Sequence, residues 1–236
     1  MDEVEWWEFE SPAELAEQVA GDVAFVIESA IEAHGDARLA LPGGDALEMV
    51  APALIAQDVD WSKVTLLPTD DRLVLPDDPR SNFGRIEALF GATGANLVRL
   101  VGERAPDDYR DAGRLADERI AGIEWPLDLV CLGMGKDGHT ASILPGPDLE
   151  RALAGPRGRR AIGLHPDPMP QDAAVDRVTL TADALASARA VVTVISGPEK
   201  RSTLERAIEE GPLASAPIGR LLAGLEASVD VFWSAG

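Results

Sequence analysis

The sequence predicts an α/β fold with a mainly parallel sheet covered by helices on both faces. Short apolar runs alternate with segments whose apolar residues recur every three or four positions, several runs are apolar along their whole length, and glycine turns fall where the runs end.

The first helix is expected over residues 11–34. Leu15, Val19, Val23, Phe25, Val26, Ile27 and Ile31 form its packed face, behind Ser11 as N-cap, Pro12 as first helical residue and Glu14 as capping-box partner. Residues 38–41 are a short apolar strand that breaks at Pro42-Gly43-Gly44, and residues 45–57 read as the next helix. The unit repeats with a strand at 64–67, a polar loop through Asp78 and a helix at 81–90 that ends at Gly91. A strand is expected at 97–100 and a helix at 106–123. Residues 127–132 then form a nearly uninterrupted apolar strand, which belongs at the centre of the sheet.

Residues 133–147 are a glycine-rich loop leading into a short helix, and residues 145–170 are rich in Pro, Gly and Arg. Strands at 177–180 and 190–196 flank a short helix at 182–187, Gly197 and Pro198 open a helix to about residue 210, and residues 229–233 close the sheet. The whole of 1–236 is expected to be one domain.

Lys and Arg number 21 against 41 Asp and Glu, a formal net charge of −20 that repels nucleic acid and anionic membrane surfaces. An anionic small substrate is repelled too, so its site must be locally basic. No apolar stretch reaches the length of a membrane span. The start carries Trp6, Trp7 and Phe9 among acidic residues, unlike a secretory signal, so a cytoplasmic protein is expected. The lone Cys131 lies inside an apolar run and reads as buried filler.

In a parallel sheet, ligands sit beyond the carboxyl ends of the strands. That rule selects Pro42-Gly43-Gly44-Asp45, Asp70-Asp71-Arg72, Gly135-Lys136-Asp137-Gly138-His139 and Gly197-Pro198-Glu199-Lys200. Among three histidines, only His139 follows a strongly apolar strand and its glycines. It is the expected general base, with Asp137 as the carboxylate nearest in sequence, although a loop histidine capping the next helix is the alternative. Arg72 is suited to a phosphate or a developing oxyanion, or else to an ion pair with the adjacent acids. Gly43 and Gly44 precede a helix and can offer N–H groups to an anion. Lys200 opposes the dipole at a helix start, which an anion nearby would relieve. His34 and His165 read as structural. No metal is expected, because the carboxylates lack neighbouring His or Cys and the spacing of a calcium loop.

The run from Leu132 to Gly146, Leu-Gly-Met-Gly-Lys-Asp-Gly-His-Thr-Ala-Ser-Ile-Leu-Pro-Gly, is similar to the G-M-G-x-D-G-H-T-A-S-L-F-P-G of the 6-phosphogluconolactonase family. Asp70-Asp71-Arg72-Leu73-Val74-Leu75-Pro76 with Ser81-Asn82 resembles its D-E-R-x-V-P and S-N. Arg177-Val178-Thr179-Leu180-Thr181 and Gly197-Pro198-Glu199-Lys200 resemble its R-[IV]-T-L-T and G-x-x-K segments. The motifs stand in family order over most of the chain.

The resemblance implies a Rossmann-like α/β fold and a cofactor-free hydrolase that opens 6-phospho-D-glucono-1,5-lactone, a phosphorylated sugar lactone, in the oxidative pentose phosphate pathway; a monomer or weak homo-oligomer is expected. His139, Asp137 and Arg72 would be catalytic; Gly43, Gly44, Asp70, Gly135, Arg177 and Lys200 would bind substrate. Alternatives are a glucosamine-6-phosphate deaminase-like isomerase and a non-catalytic sugar-phosphate sensor. Thr140-Ala141-Ser142 after the histidine and Arg72 after the acids speak for the lactonases. Pro42 and Asp45 replace the two serines of the family's S-G-G-S-T-P. Asp45 either brings a carboxylate to the anion site or caps the helix and faces away.

Overall fold

The computed structural model describes residues 4–236 apart from residues 105, 157, 172 and 226. In chain order the elements are β1 (Val4–Phe9), α1 (Pro12–His34), β2 (Ala37–Leu41), α2 (Asp45–Ile55), β3 (Val64–Pro68), β4 (Asp70–Arg72), α3 (Asn82–Phe90) and β5 (Asn96–Leu97). There follow α4 (Tyr109–Ile120), β6 (Leu129–Leu132), α5 (Leu149–Ala154), β7 (Ala161–Leu164), β8 (Arg177–Leu180), α6 (Ala182–Ala186), β9 (Ala190–Ser196), α7 (Pro198–Glu210), α8 (Pro217–Leu222) and β10 (Val229–Ser234).

Seven strands form a sheet in the order β1-β10-β9-β6-β2-β3-β5, with every pairing parallel. β6 lies at its centre, as its continuous apolar run predicts. β4, β8 and β7 make a second, antiparallel sheet.

Period-two alternation in the central strands feeds two cores. Leu39, Leu41, Leu129, Cys131, Val192 and Val194 point into the layer closed by α1, α2 and α3. Ala40, Val130, Leu132, Val191 and Ile195 point into the layer closed by α4, α7, α8 and the small sheet. A strand buried on both faces has no polar side to show, and truncating a core residue such as Leu39 to Ala is expected to cost ~2–5 kcal/mol. Burial also pushes the Cys131 thiol up to about 12, which makes it an inert filler.

α1 starts and stops as its ends dictate. The Ser11 hydroxyl accepts from the Glu14 N–H at 3.2 Å, and Gly35 at φ 97° donates its N–H to the Ile31 carbonyl. Leu15, Val19, Val23 and Ile27, four apart, are buried. Phe25 corrects the predicted face: it is 69% exposed, because two residues from both Val23 and Ile27 puts it on the opposite side of a 3.6-residue helix.

Three further expectations need correction. The strand predicted at 97–100 is reduced to Asn96 and Leu97 on the sheet edge, with the Val98 N–H donating to the Leu66 carbonyl at 2.8 Å, while Leu100 is buried without a ladder partner. The strand at 177–180 joins the small sheet and not the large one. The Pro-, Gly- and Arg-rich stretch at 145–170, where the sequence predicts no strand, contains the buried strand β7. There α4 packs so close that a Cβ on Gly163 would overlap the Tyr109 carbonyl and one on Gly113 the Gly163 amide.

From β2 the chain goes to β3 on one side and later to β6 on the other, so the topology switches direction between β2 and β6. A crevice beyond the carboxyl ends of strands at such a point is where sheets of this kind take ligands.

Candidate active site

At that switch point the turn after β2, strand β4, the start of α3, the loop after β6 and the first turn of α7 enclose a cleft of about 370 Å³. Gly43, Gly44, Asp70, Arg72, Gly135, His139 and Lys200, far apart in sequence, all line it.

The loop after β6 is shaped to hold His139. The Gly135 N–H donates to the His139 carbonyl at 2.9 Å, Gly138 turns the chain at φ 79° and donates to the Gly135 carbonyl, and the Thr140 hydroxyl donates to the Gly133 carbonyl. A Cβ at Gly135 would overlap the imidazole itself. Behind the loop, the Ile218 N–H of α8 donates to the Gly138 carbonyl at 3.0 Å, and a side chain at Gly138 would run into Ala216. α8 is not among the elements expected from the sequence.

Asp137 does not line the cleft. Its Oδ1 lies 2.6 Å from His139 Nδ1 and also accepts the His139 N–H at 3.2 Å. Burial raises the Asp137 carboxyl, but the hydrogen bond and charge of His139 outweigh that and hold it below its ordinary value. A carboxylate can only accept, so Nδ1 carries the proton and Nε2 is left with the free lone pair.

Arg72 is fixed from one side. Its Nη1 donates to the Arg80 carbonyl and to Asn82 Oδ1, both at 2.8 Å, while Asn82 Nδ2 donates to the Asp70 carbonyl at 2.9 Å. Asp70 is buried and accepts the Ser142 hydroxyl at 2.5 Å. Asp71, also buried, accepts the N–H groups of Arg72, Asn82 and Phe83 and the Ser81 hydroxyl. Desolvation, opposed by those donors and aided by the charge of Asp70, pushes its carboxyl up to about 6. Asp71 therefore anchors the start of α3, and Asp70 sets the position of Asn82.

Gly43 must be glycine because any Cβ there would overlap the Asn82 amide that holds Arg72. Gly44 is the N-cap of α2 at φ 73° and makes no side-chain cap bond. Asp45, the first residue of α2, is among the residues that line the cleft. Lys200 reaches the cleft from α7, whose first turn is tied to the histidine loop by a 2.8 Å ion pair between Lys136 and Glu199.

Arg177 is the predicted substrate-binding residue that the structure keeps out of the cleft. It is buried in β8, and its Nη2 donates to the Ala173 carbonyl at 2.8 Å. Arg85 and Asn82 line the cleft although neither is among the predicted site residues. Asn82 is visible as part of the S-N motif; Arg85 sits one turn further along α3 and carries no sequence signal.

His34 and His165 are held by carboxylates, His34 between Asp36 and Asp128 and His165 by Asp176. Among the described residues no three His, Cys, Asp or Glu side chains are grouped to hold a metal.

A parallel sheet with an acid–imidazole pair and three basic side chains at its switch point is the architecture of an α/β enzyme acting on a small anionic molecule. The family model described as glucosamine-6-phosphate isomerases/6-phosphogluconolactonase matches residues 10–233, and the chain belongs to that family. It is 36% identical over 228 residues to the 6-phosphogluconolactonase of Rhizobium meliloti, covering 96% of this chain and 97% of that one. The 6-phosphogluconolactonase structure from Shewanella baltica superposes with a TM-score of 0.89 at 30% identity, over 99% of both chains. A monomeric glucosamine-6-phosphate deaminase shares the fold, with a TM-score of 0.79 at 18% identity, over 98% of this chain and 97% of that one.

Proposed function

We propose that the chain hydrolyses 6-phospho-D-glucono-1,5-lactone to 6-phosphogluconate, with His139 as general base. The observation that carries this reading is the 2.6 Å contact by which Asp137 backs His139 Nδ1, the His139 ring lining a cleft with Arg72 and Lys200. Curated relatives at 30–36% identity over most of the chain bear the name of this activity.

His139 Nε2 takes a proton from water as the oxygen attacks the lactone carbonyl. Asp137 stabilises the imidazolium that forms, while a donor such as Arg72 or a backbone N–H meets the oxyanion. As the tetrahedral adduct collapses, the bond from the carbonyl carbon to the ring oxygen breaks. The imidazolium returns its proton to that oxygen, and the carboxylic acid product ionises. Lys200 and the N–H groups of the Gly43–Gly44 turn hold the phosphate, and Asp70 and Gly135 position groups around the ring.

This reading assigns the chain to the cytoplasm as one domain, monomeric or a weak homo-oligomer. No helix among the described residues is long and apolar enough to cross a membrane.

The test is hydrolysis at slightly acid pH, with phosphorylated and unphosphorylated lactone in parallel. Acceleration over spontaneous opening, greater for the phosphorylated lactone, is expected. Ammonia release from glucosamine 6-phosphate, or binding without turnover, would overturn the assignment.

A further inference from the structure

The cleft is not the largest cavity described. At the opposite, amino-terminal end of the large sheet, the segments that lead into β6, β7, β9 and β10 surround a second one of about 840 Å³. Its volume falls in the range of small-ligand sites. None of its lining residues is shared with the cleft.

The chemistry of its wall is one-sided. Arg159, Arg160 and Arg189 line the cavity with Trp125, and the Arg160 guanidinium stands 5.0 Å from the centre of the Trp125 ring. In a chain of net charge −20, a cation has carboxylates to choose from. Arg189 has taken one, Asp128, at 3.4 Å. The side chains of Arg159 and Arg160 have no carboxylate partner among the described residues. The Trp125 indole N–H is closed to solvent, so the residue meets the cavity through its ring, on which Arg160 rests.

Guanidinium groups donate and never accept, so Arg159 and Arg160 lack the same thing: an acceptor-rich anion. Among the described residues one carboxylate, Asp183, also lines the cavity. Two unpaired guanidiniums together with the Asp128-paired Arg189 still favour a multiply charged anion over a single carboxylate, and phosphate matches the guanidinium fork.

We infer that this cavity is a second ligand site, separate from the catalytic cleft, for a small phosphate-bearing anion held by Arg159, Arg160 and Arg189. Inorganic polyphosphate and an organic phosphate share that chemistry, and such a site is independent of the reaction assigned to the cleft.

Isothermal titration calorimetry of the full chain with inorganic pyrophosphate, and separately with ADP, tests it. Saturable binding below ~1 mM, the weak end of ordinary ligand affinities, is expected for at least one of them. Pyrophosphate bound as tightly as ADP means that the phosphates alone are recognised; tighter ADP means that the wall also takes the organic part. R159Q/R160Q is expected to weaken binding at least tenfold, and R72Q/K200Q, in the cleft, to leave one such site unchanged within twofold. Each single variant, R159Q and R160Q, is expected to weaken binding several-fold even if the double variant fails to fold. No saturable binding of either probe, or binding lost only in R72Q/K200Q, would overturn the proposal.

Discussion

The hydroxyl of Ser142 donates to Asp70 Oδ2 across 2.5 Å, and so ties the loop that carries His139 to the strand that carries Arg72. Asp70 in turn accepts from Asn82 Nδ2 at 3.2 Å, and Asn82 holds Arg72, so a continuous chain of hydrogen bonds joins the two sides of the cleft.

Ser142→Ala removes the donor and leaves a buried carboxylate oxygen unmet. The expected cost is ~1–3 kcal/mol of stability, read as a lower denaturation midpoint in urea. An unchanged midpoint would show that the short contact is not made in solution.

Asp137→Asn replaces an acceptor-only group by an amide that can donate to Nδ1, which moves the imidazole proton to Nε2 and abolishes the base. A fall in kcat of roughly 10²- to 10⁴-fold is expected, similar to that of His139→Ala, since both remove a positioned base. Full activity of Asp137→Asn in a stopped-flow assay would disprove the tautomer assignment.

Arg85 stands on the cleft wall, with its guanidinium 3.4 Å from Glu48. Arg85→Gln is expected to raise KM for the phosphorylated lactone roughly tenfold or more, the worth of a hydrogen bond to a charged group, and to leave kcat and the unphosphorylated lactone unaffected. Equal effects on both lactones would place Arg85 away from the phosphate.

Asp71 gives a pH signature. Its folded carboxyl is raised to about 6 from an ordinary 3.8, so the folded state keeps a proton that the unfolded chain has released. The group's contribution to stability is therefore largest below about pH 4 and falls as pH rises to about 6. Between pH 4.5 and 6.5, unfolding free energy is expected to drop by about 2 kcal/mol more in the protein than in Asp71→Asn, since a tenfold difference in proton affinity is worth ~1.4 kcal/mol. Parallel pH curves for the two would mean that burial does not hold the proton on Asp71.

Much of the framework is legible in the residues because it rests on local pattern. α1 shows itself through its cap, its proline and a four-residue row of aliphatics; β6 and β9 are short runs with scarcely a polar residue. β1 is harder to see, since Glu5 and Glu8 face outward beside Trp7 on a sheet edge. β7 is four residues long and lies in a stretch of prolines and arginines. The identity of a strand's partners is not local at all, which is why β8 can be found but not assigned to the small sheet.

The site divides in the same way. The glycine turn, the Asp70–Arg72 segment and the histidine loop each follow a strand end, and a topological rule places strand ends together. Arg177 matches a motif but turns inward to the Ala173 carbonyl, and nothing in its neighbours' identities foretells which way a strand residue points when both faces are covered. Arg85 reaches the cleft only because the Asp71 carboxylate fixes the start of α3, a contact ten residues and more along the chain.

The alternation of β2, β6 and β9 has a consequence for how the molecule comes apart. Each of these strands is roofed on one side and floored on the other, so stripping away either helical layer would lay bare the same aliphatic ribbon to water. Neither half has a way to melt and leave the other standing, and heating is expected to take the protein down in one cooperative step.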